Sequence, residues 1–477
     1  MKKETNVGIT VKKEDDFSEW YTQVILKSGL ADYSAVSGCI VFRPLAYAIW
    51  ERVMKLTDER IKKIGVENAY FPMFIPESLL AKEEAHVKGF TPEVAWVTEG
   101  GHTKLGERLA VRPTSEAIMY DSYSKWIRSW RDLPLRLNQW NSVVRWEFKH
   151  PVPFLRTREF LWNEGHTAFA TKEEADKEIG QILGIWKDIV FNYMALYGVI
   201  GKKSDKEKFA GAIATYAMEL IMPNGRIIQG PDAHSDGQNF AKAYNIKFVD
   251  RDEKEKHVWQ NTWAITTRMI GVMAAIHSDD KGLVLPPMIA PTKIVIVPIY
   301  KEDTRKDVVK EAKKIAKKLQ PFGACLDDRD EYSPGWKFNE WELKGVPLRI
   351  EIGPRDIENK SVTAVRRDNG KKEAIPVENL PKRADEILKD IQNGLFARSK
   401  AQFESRVSRA KNMEEFTKSI EEKNIVLADF CGEEKCEDAI KDKSGGASSA
   451  VTVEESNGAC FNCGKKAKHV FYFGKGY

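Results

Sequence analysis

The sequence predicts three parts: an α+β domain with a mainly antiparallel sheet over residues 1–290, an α/β domain over 291–400, and a small domain over 401–477. Short alternating strands joined as hairpins fill the first part. A nearly continuous apolar run opens the second, as expected of a strand covered on both faces. Two short-spaced pairs of cysteines mark the third. A chain of 477 residues is long enough for two or three domains.

The clearest element of the first part is a hairpin with one polar face. In VVRWEF, Arg145 and Glu147 alternate with apolar residues, which predicts a strand over 135–148. After a loop that contains prolines, a strand over 158–170 repeats the alternation. Residues two apart leave a strand on the same side. The hairpin therefore presents guanidinium and carboxylate groups together, a mixture suited to an anionic nucleotide and a zwitterionic amino acid.

The other elements follow from periodicity and turn residues. In the first part we predict helices over 17–30, 44–64 and 172–198 and from about Thr266, and strands over 68–76 (with Pro72 inside) and 109–112. In the second part we predict strands over 293–299, 324–327 and 346–352 and a helix over 303–320. The third part begins charged and helical and then contains a Gly/Ser-rich stretch at 444–449, interpreted as a flexible loop.

Composition excludes several classes of protein. No apolar run approaches the roughly 18 residues that span a bilayer, and the start MKKETNVGIT has no apolar stretch of a secretory signal. Six cysteines in a chain of this length do not indicate a disulfide scaffold, so a cytoplasmic protein is expected. The net charge of +5 does not by itself establish nucleic-acid binding, because a solvated surface of mixed charge explains it equally well.

The cysteine pairs of the third part predict a metal site. Cys431 and Cys436 are five positions apart, and Cys460 and Cys463 are three apart. Two such pairs suit a tetrahedral zinc ion with four thiolate ligands. In a reducing compartment this outranks two disulfides. A closed site of this kind is structural, because it leaves no position open for chemistry.

The hairpin resembles the second signature motif of the class II aminoacyl-tRNA synthetases. RPTSE, which starts at Arg112, and LWNEGH, which starts at Leu161, are similar to segments of the prolyl-tRNA synthetase family in its archaeal and eukaryotic-type form. Further matching segments follow in order along the chain: FSEWY, ADY, KFAGA, GLVLPP and YSPGWKFNEWELKGVP. The resemblance covers the chain from about residue 15 to Tyr477.

The resemblance implies an activity and its partners. Members of this family activate L-proline with ATP to prolyl-adenylate and transfer proline to the 3′ end of tRNA(Pro). It implies a class II catalytic domain, an anticodon-binding domain and a homodimer formed through the helix and strand of residues 44–76. Mg²⁺ accompanies the triphosphate, whose oxygens suit a hard cation. Neither DNA nor a membrane is an expected partner.

Two arginines are the candidate catalytic residues. A guanidinium at Arg145 can lie between a carboxylate and the α-phosphate that it attacks, and so neutralise the charge that develops. The alternative is a structural salt bridge to Glu147. Arg268, at a helix start, can stack on an adenine and face phosphates. The resemblance implies ATP contacts at six positions: Arg145, Glu147, Arg156, Gln229, Thr266 and Arg268. Glu147 is also a candidate magnesium ligand.

A proline pocket needs an aromatic wall and an acceptor for the secondary ammonium. Trp162 can supply the wall and Glu164 the acceptor, two residues apart on one strand face. The resemblance implies proline contacts at seven positions: Thr114, Glu116, Arg145, Trp162, Glu164, His166 and His234. The chain departs from the family at Asp232, where threonine is usual, and at Asp236, where leucine is usual. These acids leave open a ligase for another small amino acid.

The second part interleaves cations with aromatic residues, a mixture that suits unstacked bases. The resemblance implies base contacts at five positions: Arg329, Lys337, Glu340, Arg355 and Asp356. A different class of function is a catalytically idle RNA-binding regulatory paralogue. That alternative predicts loss of Arg145 or Arg268, and both are present.

The spacing of the motifs bears on fidelity. Bacterial-type relatives carry an editing domain between the second and third motifs. Only about a hundred residues separate His166 from Arg268 here, too few for such an insertion. A pocket for proline discriminates weakly against amino acids of similar or smaller size. We therefore expect the enzyme to activate cysteine or alanine as well.

Overall fold

The computed structural model describes residues 8–86, 93–147 and 150–477. Residues 1–7 of the predicted first domain and Phe148 at the end of its predicted strand lie outside this part. Within it, no helix combines the length and the apolar character needed to cross a bilayer.

Thirteen α-helices occur in the described residues: α1 Phe17–Lys27, α2 Pro44–Ile61, α3 Glu77–His86, α4 Glu116–Trp126, α5 Lys172–Asp188, α6 Asn239–Ala243, α7 Arg268–His277, α8 Arg305–Leu319, α9 Pro334–Leu343, α10 Pro354–Glu358, α11 Leu380–Glu404, α12 Met413–Glu421 and α13 Glu434–Lys443.

The strands of the first part are β1 Ala31–Tyr33, β2 Ile40–Phe42, β3 Glu67–Asn68, β4 Phe74–Pro76, β5 Trp96–Gly100, β6 Thr103–Val111, β7 Leu135–Val144, β8 Glu159–Phe169, β9 Val199–Lys202, β10 Ala214–Ile221, β11 Ile227–Gly237, β12 Lys247–Val249, β13 Glu255–His257 and β14 Trp259–Ala264. Those of the second are β15 Ile294–Pro298, β16 Ala324–Leu326, β17 Leu348–Ile352, β18 Ser361–Arg366 and β19 Lys372–Pro376. Those of the third are β20 Val407–Arg409, β21 Ile425–Phe430, β22 Ala447–Glu455 and β23 His469–Lys475.

The first part is built on a seven-stranded sheet in the order β3-β7-β8-β14-β11-β10-β9. Its neighbours pair antiparallel except for β3 and β7, which are parallel. The predicted hairpin is β7–β8, paired from Leu135↔Ala168 to Val144↔Glu159. Two apolar cores pack on this framework, one with residues of α1, α2, α5 and α7 and the other with residues of α4 and α6. The predicted α+β class with a mainly antiparallel sheet is confirmed.

The second part has a five-stranded sheet in the order β16-β15-β17-β18-β19, in which β15 pairs parallel with both neighbours. The strand β15 is buried along its whole length, as its apolar sequence predicted. Helix α8 buries Val308, Ala312, Ile315 and Leu319 against this sheet. The third part is a four-stranded sheet in the order β20-β21-β23-β22 with its own core. The domain boundaries at 290 and 400 stay predictions.

Several elements differ from the prediction. The helix predicted over 172–198 is α-helical only to Asp188, because a wider π-turn over Ile189–Tyr193 ends it before β9. It starts where predicted, since Thr171 and Glu174 cap its first turn reciprocally. Pro72 lies between β3 and β4 and not inside a strand. The predicted strand 109–112 is only the end of β6.

The Gly/Ser-rich stretch 444–449 is not a flexible loop throughout, because β22 begins at Ala447. The hydroxyl of Ser449 donates a hydrogen bond to Glu437 of α13 at a buried position, which fixes the start of that strand. Gly445 and Gly446 supply the turn before it, with positive φ of 65° and 104°.

Candidate active site

Residues of β8, β10, β11 and β14, the first turns of α4 and α7 and the segment that follows β7 line a cavity of about 290 Å³. Every residue predicted to contact ATP or proline lines it except Arg156: Thr114, Glu116, Arg145, Glu147, Trp162, Glu164, His166, Gln229, His234, Thr266 and Arg268. Arg156 lies in an adjoining pocket of about 220 Å³ that shares Gln229 and Arg268 with the cavity. The fold therefore brings these predicted residues together although they are spread over more than 150 positions.

Glu164 is the best anchored acid of the cavity. Its side chain is buried, and it accepts hydrogen bonds from the backbone N–H of Ser115 (2.9 Å), the Ser115 hydroxyl (2.7 Å) and the Asn141 amide (2.5 Å). His166 lies 3.2 Å away through Nε2. Burial raises the pKa of Glu164, but the contacts with His166, Asn141 and Ser115 outweigh it and hold that pKa below its ordinary value. The carboxylate is therefore charged at neutral pH.

The same strand presents the aromatic wall. Trp162 is buried to 9% exposure, and its indole N–H donates a hydrogen bond of 2.7 Å to Asn141 Oδ1. Because Trp162, Glu164 and His166 alternate along β8, all three side chains face the cavity. Asn141 of β7 thus positions both the wall and the acid. Gly165, between Glu164 and His166, admits the Trp263 ring, which lies 2.1 Å from where a Cβ would be.

On α4 and the turn before it, Thr114 donates a hydrogen bond to the carboxylate of Glu116. Both side chains are buried and line the cavity. Glu116 lies in the first turn of α4, where the helix dipole favours an anion. This places a second buried carboxylate near Glu164, and with His166 the three residues offer ligand atoms within 4.8 Å of one another.

Arg145 leaves β7 immediately after its last paired residue. Its backbone N–H donates to Arg158 O at 2.7 Å, and its Nε donates to Pro113 O at 3.0 Å. The guanidinium lies 5.3 Å from the Trp162 ring. Within the described residues no ion pair joins Arg145 to Glu147, so the salt-bridge alternative has no support here. The guanidinium keeps donors that face the cavity.

Arg268 is the first residue of α7. Its Nη1 donates to Gln229 O at 3.2 Å, and its backbone N–H donates to Thr266 Oγ1 at 3.1 Å. Burial lowers the pKa of Arg268, and the nearby Arg145 lowers it further. The two positively charged guanidinium groups repel each other, and an anion bound between them would offset that repulsion. This arrangement suits a phosphate.

The departure at Asp232 adds a carboxylate to the cavity wall. Its Oδ2 accepts a hydrogen bond of 2.7 Å from the Gln229 amide and lies 3.6 Å from His234 Nε2. Thr215 Oγ1 lies 2.9 Å from His234 Nδ1 and also accepts the N–H of Phe209. Burial lowers the pKa of His234, so the imidazole is neutral. Asp232 is thus held by protein groups.

Asp236 lies deeper on β11. Its side chain is fully buried, and both carboxylate oxygens lack a hydrogen-bond partner in the described residues. Burial raises its pKa well above the ordinary value, and the nearby Glu116 raises it further. The group is therefore a neutral acid behind the cavity. It does not line the cavity itself.

Glu147 and Arg156 lie at the open side. Glu147 is exposed and lines the cavity. Arg156 donates to the carbonyl oxygen of Tyr477, and Arg226 donates to Gly476 O at 2.7 Å. Residues of the third part therefore form one wall of the adjoining pocket, which also contains Arg268.

The four cysteines of the third part converge. Cys436 Sγ lies 3.8 Å from Cys460 Sγ, and Cys431 Sγ lies 3.7 Å from Cys463 Sγ. All four sulfurs lie within 4.8 Å of one another, and none is in a disulfide. Two sulfurs at about 2.3 Å from one tetrahedral zinc ion lie about 3.8 Å apart. The cluster therefore has the dimensions of a zinc site.

The predicted base-contacting residues of the second part differ in their exposure and in their hydrogen bonds. Arg329 donates to Asp327 and to Glu340, and its guanidinium lies beside the stacked rings of Tyr332 and Trp336, whose centroids are 3.9 Å apart. Arg355 is exposed, whereas Asp356 caps α10 by accepting the Gly353 N–H.

Lys337 is only 2% exposed and donates to the backbone oxygen of Asp327 at 3.1 Å. Its ammonium therefore faces the protein and not a base, and it positions the acid that holds Arg329.

Sequence reasoning missed two kinds of residue: Ser115, Asn141 and Thr215, which hold predicted residues by hydrogen bonds, and Phe209 and Thr262, which line the cavity. Ser115 and Phe209 lie inside the segments RPTSE and KFAGA and could have been chosen there. Asn141 pairs directly with Trp162 in the register of β7 and β8, which a hairpin prediction alone does not give.

Models of three protein families match consecutive parts of the chain. Residues 96–277 match the tRNA synthetase class II core domain (G, H, P, S and T). Residues 293–387 match the anticodon binding domain, and residues 413–477 match the C-terminal domain of prolyl-tRNA synthetase.

Curated relatives match over nearly the whole chain. The proline–tRNA ligase of Natranaerobius thermophilus is 48% identical over 95% of this chain and 94% of its own. The cytoplasmic proline–tRNA ligase of Arabidopsis thaliana is 47% identical over 100% of this chain and 92% of its own. That of Cenarchaeum symbiosum is 45% identical over 99% and 100%.

Among solved structures, the prolyl-tRNA synthetase of Cryptosporidium parvum, complexed with halofuginone and AMPPNP, superposes with a TM-score of 0.94. It is 42% identical and the match covers 99% of this chain and 100% of that one. A site with the predicted arginines, acids and aromatic wall, three matching domains and relatives of this identity lead to one conclusion: the chain belongs to the prolyl-tRNA synthetase family of class II aminoacyl-tRNA synthetases, and its activity is that of a proline–tRNA ligase.

Proposed function

We propose that the cavity binds L-proline and ATP side by side and that its residues act as the sequence predicted. The observation that carries this is the position of Arg145 and Arg268 in one cavity with the charged carboxylate of Glu164. The two guanidinium groups suit the phosphates, and the carboxylate suits the secondary ammonium of proline.

In the first step, a carboxylate oxygen of proline attacks the α-phosphorus of ATP, and pyrophosphate leaves. Arg145 lies between the two anions, lowers their repulsion and stabilises the charge of the transition state. Arg268 holds the nucleotide: the carbonyl oxygen of Gln229 accepts from its guanidinium, and Thr266 Oγ1 accepts from its backbone N–H. Most of the remaining rate gain comes from holding the two substrates in register. In the second step, a hydroxyl of the terminal ribose of tRNA attacks the acyl carbon, and AMP leaves.

Proline is recognised by shape and by charge. The Trp162 face covers the ring, and Glu164 accepts from the ammonium at one end of that face. Thr114, Glu116, His166 and His234 complete the pocket. Since His234 is neutral, it can accept or donate a hydrogen bond without adding a cation that would repel the ammonium.

Two metal ions accompany this function. Mg²⁺ would accompany the triphosphate, and the exposed carboxylate of Glu147, which lines the cavity, would be one of its hard ligands. Zn²⁺ binds Cys431, Cys436, Cys460 and Cys463, whose sulfur separations support a tetrahedral ion. The zinc is structural, because all four positions are filled by protein.

The second part binds the anticodon of tRNA(Pro). Arg329, Glu340 and Arg355 present polar groups at its surface, and the stacked pair Tyr332 and Trp336 lies beside them with 37% and 36% exposure. Exposed rings next to a guanidinium suit unstacked bases. In this arrangement Lys337 and Asp356 act indirectly, by holding the segments that carry the others.

The enzyme is a cytoplasmic homodimer. Large apolar side chains are exposed on β1, on α2, and in and before β4: Tyr33 at 59%, Tyr47 at 44%, Tyr70 at 68% and Phe74 at 45%. Exposed apolar surface of this kind suits an interface. Tyr47, Tyr70 and Phe74 lie within residues 44–76, the region that family resemblance assigns to dimerisation. The cytoplasmic location is supported by the name of the Arabidopsis relative.

Pyrophosphate exchange measured with each of the amino acids tests this proposal. Exchange that depends on proline supports it. Exchange that depends on another amino acid, with none for proline, would assign the Asp232 cavity to a different substrate. Absence of exchange with every amino acid would indicate an idle protein.

A further inference from the structure

The segment FSEWY at the start of α1 is far from the substrates in sequence, yet its tyrosine reaches the loop beside the nucleotide. Tyr21 is 1% exposed, and its hydroxyl donates a hydrogen bond of 2.8 Å to the carbonyl oxygen of Pro153. Pro153 lies in the loop between β7 and β8. Burial raises the pKa of Tyr21 well above its ordinary value, so the hydroxyl stays protonated and remains a donor.

That loop has a conformation that needs support. Phe154 has a φ of 62°, in the left-handed region that a bulky side chain rarely adopts. Val152 and Arg156 exchange two backbone hydrogen bonds of 2.8 and 2.9 Å across it, which closes a tight turn. The Phe154 ring is buried and packs edge-on against Phe42, with centroids 5.1 Å apart. Strained backbone persists where surrounding contacts determine it.

The turn also packs directly on α7. A Cβ added at Gly271 would lie 2.5 Å from the Tyr21 hydroxyl oxygen, 2.8 Å from Phe154 Cβ and 2.9 Å from Leu155 Cδ2. Only glycine admits this approach. Gly271 lies one turn after Arg268, the first residue of the same helix. Tyr21 therefore touches both supports of the nucleotide side: the loop that carries Arg156 and the helix that carries Arg268.

The loop forms part of the substrate wall. Phe154 and Leu155 line the main cavity, and Leu155 and Arg156 line the adjoining pocket next to Arg268. A shift of the turn would therefore move the wall beside the phosphates and leave the Trp162–Glu164 face on β8 in place. Such a shift would affect the nucleotide more than the amino acid, whereas a general loss of packing would affect both.

We propose that Tyr21 is a positioning residue for the nucleotide side of the site, acting through the carbonyl of Pro153 and the glycine contact on α7. The inference rests on the proposed function, because it takes the ligand beside Arg268 to be ATP. The tyrosine touches no substrate. It fixes where the loop that meets the nucleotide lies.

The chain offers a matched control on the opposite side of the cavity. Tyr123 is fully buried and donates a hydrogen bond of 2.9 Å to the carbonyl oxygen of His166, on the strand that carries Glu164. Burial raises its pKa in the same way. Tyr21→Phe and Tyr123→Phe therefore each remove one hydroxyl from one buried hydrogen bond to a backbone oxygen. Only the segment that each holds differs.

The experiment compares the full-length wild type with both variants. ATP affinity is measured by calorimetry without proline, and KM for ATP and for proline by pyrophosphate exchange. Tyr21→Phe is expected to weaken ATP binding and raise KM for ATP about five- to tenfold, the effect of one buried hydrogen bond, with KM for proline nearly unchanged. Tyr123→Phe is expected to shift KM for proline and leave ATP affinity unchanged.

Equal ATP affinity in Tyr21→Phe and wild type would overturn the inference, as would equal shifts of both KM values in both variants. Gly271→Ala is a second variant, which displaces the same hydroxyl and is expected to shift ATP affinity in the same direction. If the wild type binds ATP but shows no exchange with proline, the proposed function fails. The ATP affinities then still decide whether Tyr21 positions the loop.

Discussion

The substrate cavity and the four-cysteine cluster both bury ionisable groups, but they arrange them in opposite ways. In the cavity, neutral protein groups hold each charged side chain: Ser115 and Asn141 hold Glu164, and Pro113 holds Arg145. In the cluster, the four sulfurs face one another within 4.8 Å. Burial raises the pKa of the Cys431 thiol to about 11, so a cation is needed for its thiolate.

These two arrangements distinguish a site for a transient ligand from a site for a permanent one. A cavity that keeps its charges in place without ligand is preorganised, so ligands can enter and leave without disturbing the fold. A cluster of thiols that needs a metal ion to hold its thiolates together couples metal binding to folding. Losing one group should therefore cost activity in the first region and local structure in the second.

The largest expected effect is in the cavity. Arg145→Ala should lower proline-dependent pyrophosphate exchange by about 10²–10³-fold, because the variant loses the guanidinium proposed to stabilise the charge of the transition state. The circular dichroism spectrum should stay that of the wild type. Arg251→Ala, which removes an arginine stacked on Trp130 at 4.2 Å and outside the cavity, is the control. Near-normal exchange in Arg145→Ala would contradict the catalytic role of Arg145 in the cavity.

The second effect is in the cluster. Purified protein should contain about one zinc per chain, and Cys463→Ser should lose it. Amide hydrogen exchange should then rise in β21, β22 and β23 before it rises in the seven-stranded sheet, because the metal contributes to local folding. Cys39→Ser removes a cysteine outside the cluster and should retain the metal. Absence of zinc in a folded protein with four titratable thiols would contradict the assignment.

A third and smaller effect concerns how strictly the cavity selects its amino acid. Since one methylene of lost contact is worth only about 1–3 kcal/mol, the enzyme should activate alanine or cysteine measurably. In the described residues the interval between β8 and α7 is occupied by α5, β9 to β14 and α6. Incubation of preformed Ala-tRNA(Pro) with the enzyme should therefore leave it acylated. Rapid deacylation that requires the enzyme would reveal an editing site.

The smallest effect concerns a group that neither substrate nor metal contacts. His277, at the end of α7, hydrogen-bonds Met194 O at 3.0 Å, and burial lowers its pKa to about 4. Because the unfolded state binds more protons between that value and about 6.5, stability should fall as pH falls through this window, by about 1–2 kcal/mol for this partly exposed group. His277→Gln, which keeps a donor but does not titrate, should lose less stability between pH 7 and pH 5 in urea unfolding. An equal loss in both proteins would exclude His277 as the cause.

Much of the site could be predicted because its residues repeat along strands or stand in short segments. Trp162, Glu164 and His166 follow the period of two, so their common face was evident from sequence. Asn141 could not be chosen in the same way, because its role depends on the register between β7 and β8. Register is set by the whole hairpin and by what packs on it.

Burial was harder to foresee than position. Lys337 has the charge of a base reader, but its helix turns that side chain inward to Asp327. The Gly/Ser-rich stretch at 444–449 has the composition of a loop, yet contact with α13 makes its last residues part of β22. Composition reports local preference, whereas tertiary contacts decide in both cases. The neutral state of Asp236 likewise follows from its surroundings and not from its type.

The pocket beside Arg268 is completed late in synthesis, because Gly476 and Tyr477 contact Arg226 and Arg156 there. The ribosome makes Arg268 about 200 residues before it makes Tyr477, which at common rates of synthesis corresponds to roughly 10–40 s. During that interval the catalytic sheet can fold with both arginines in place, while the pocket beside Arg268 still lacks one wall. The nucleotide side of a nascent chain is therefore more open than that of the finished enzyme.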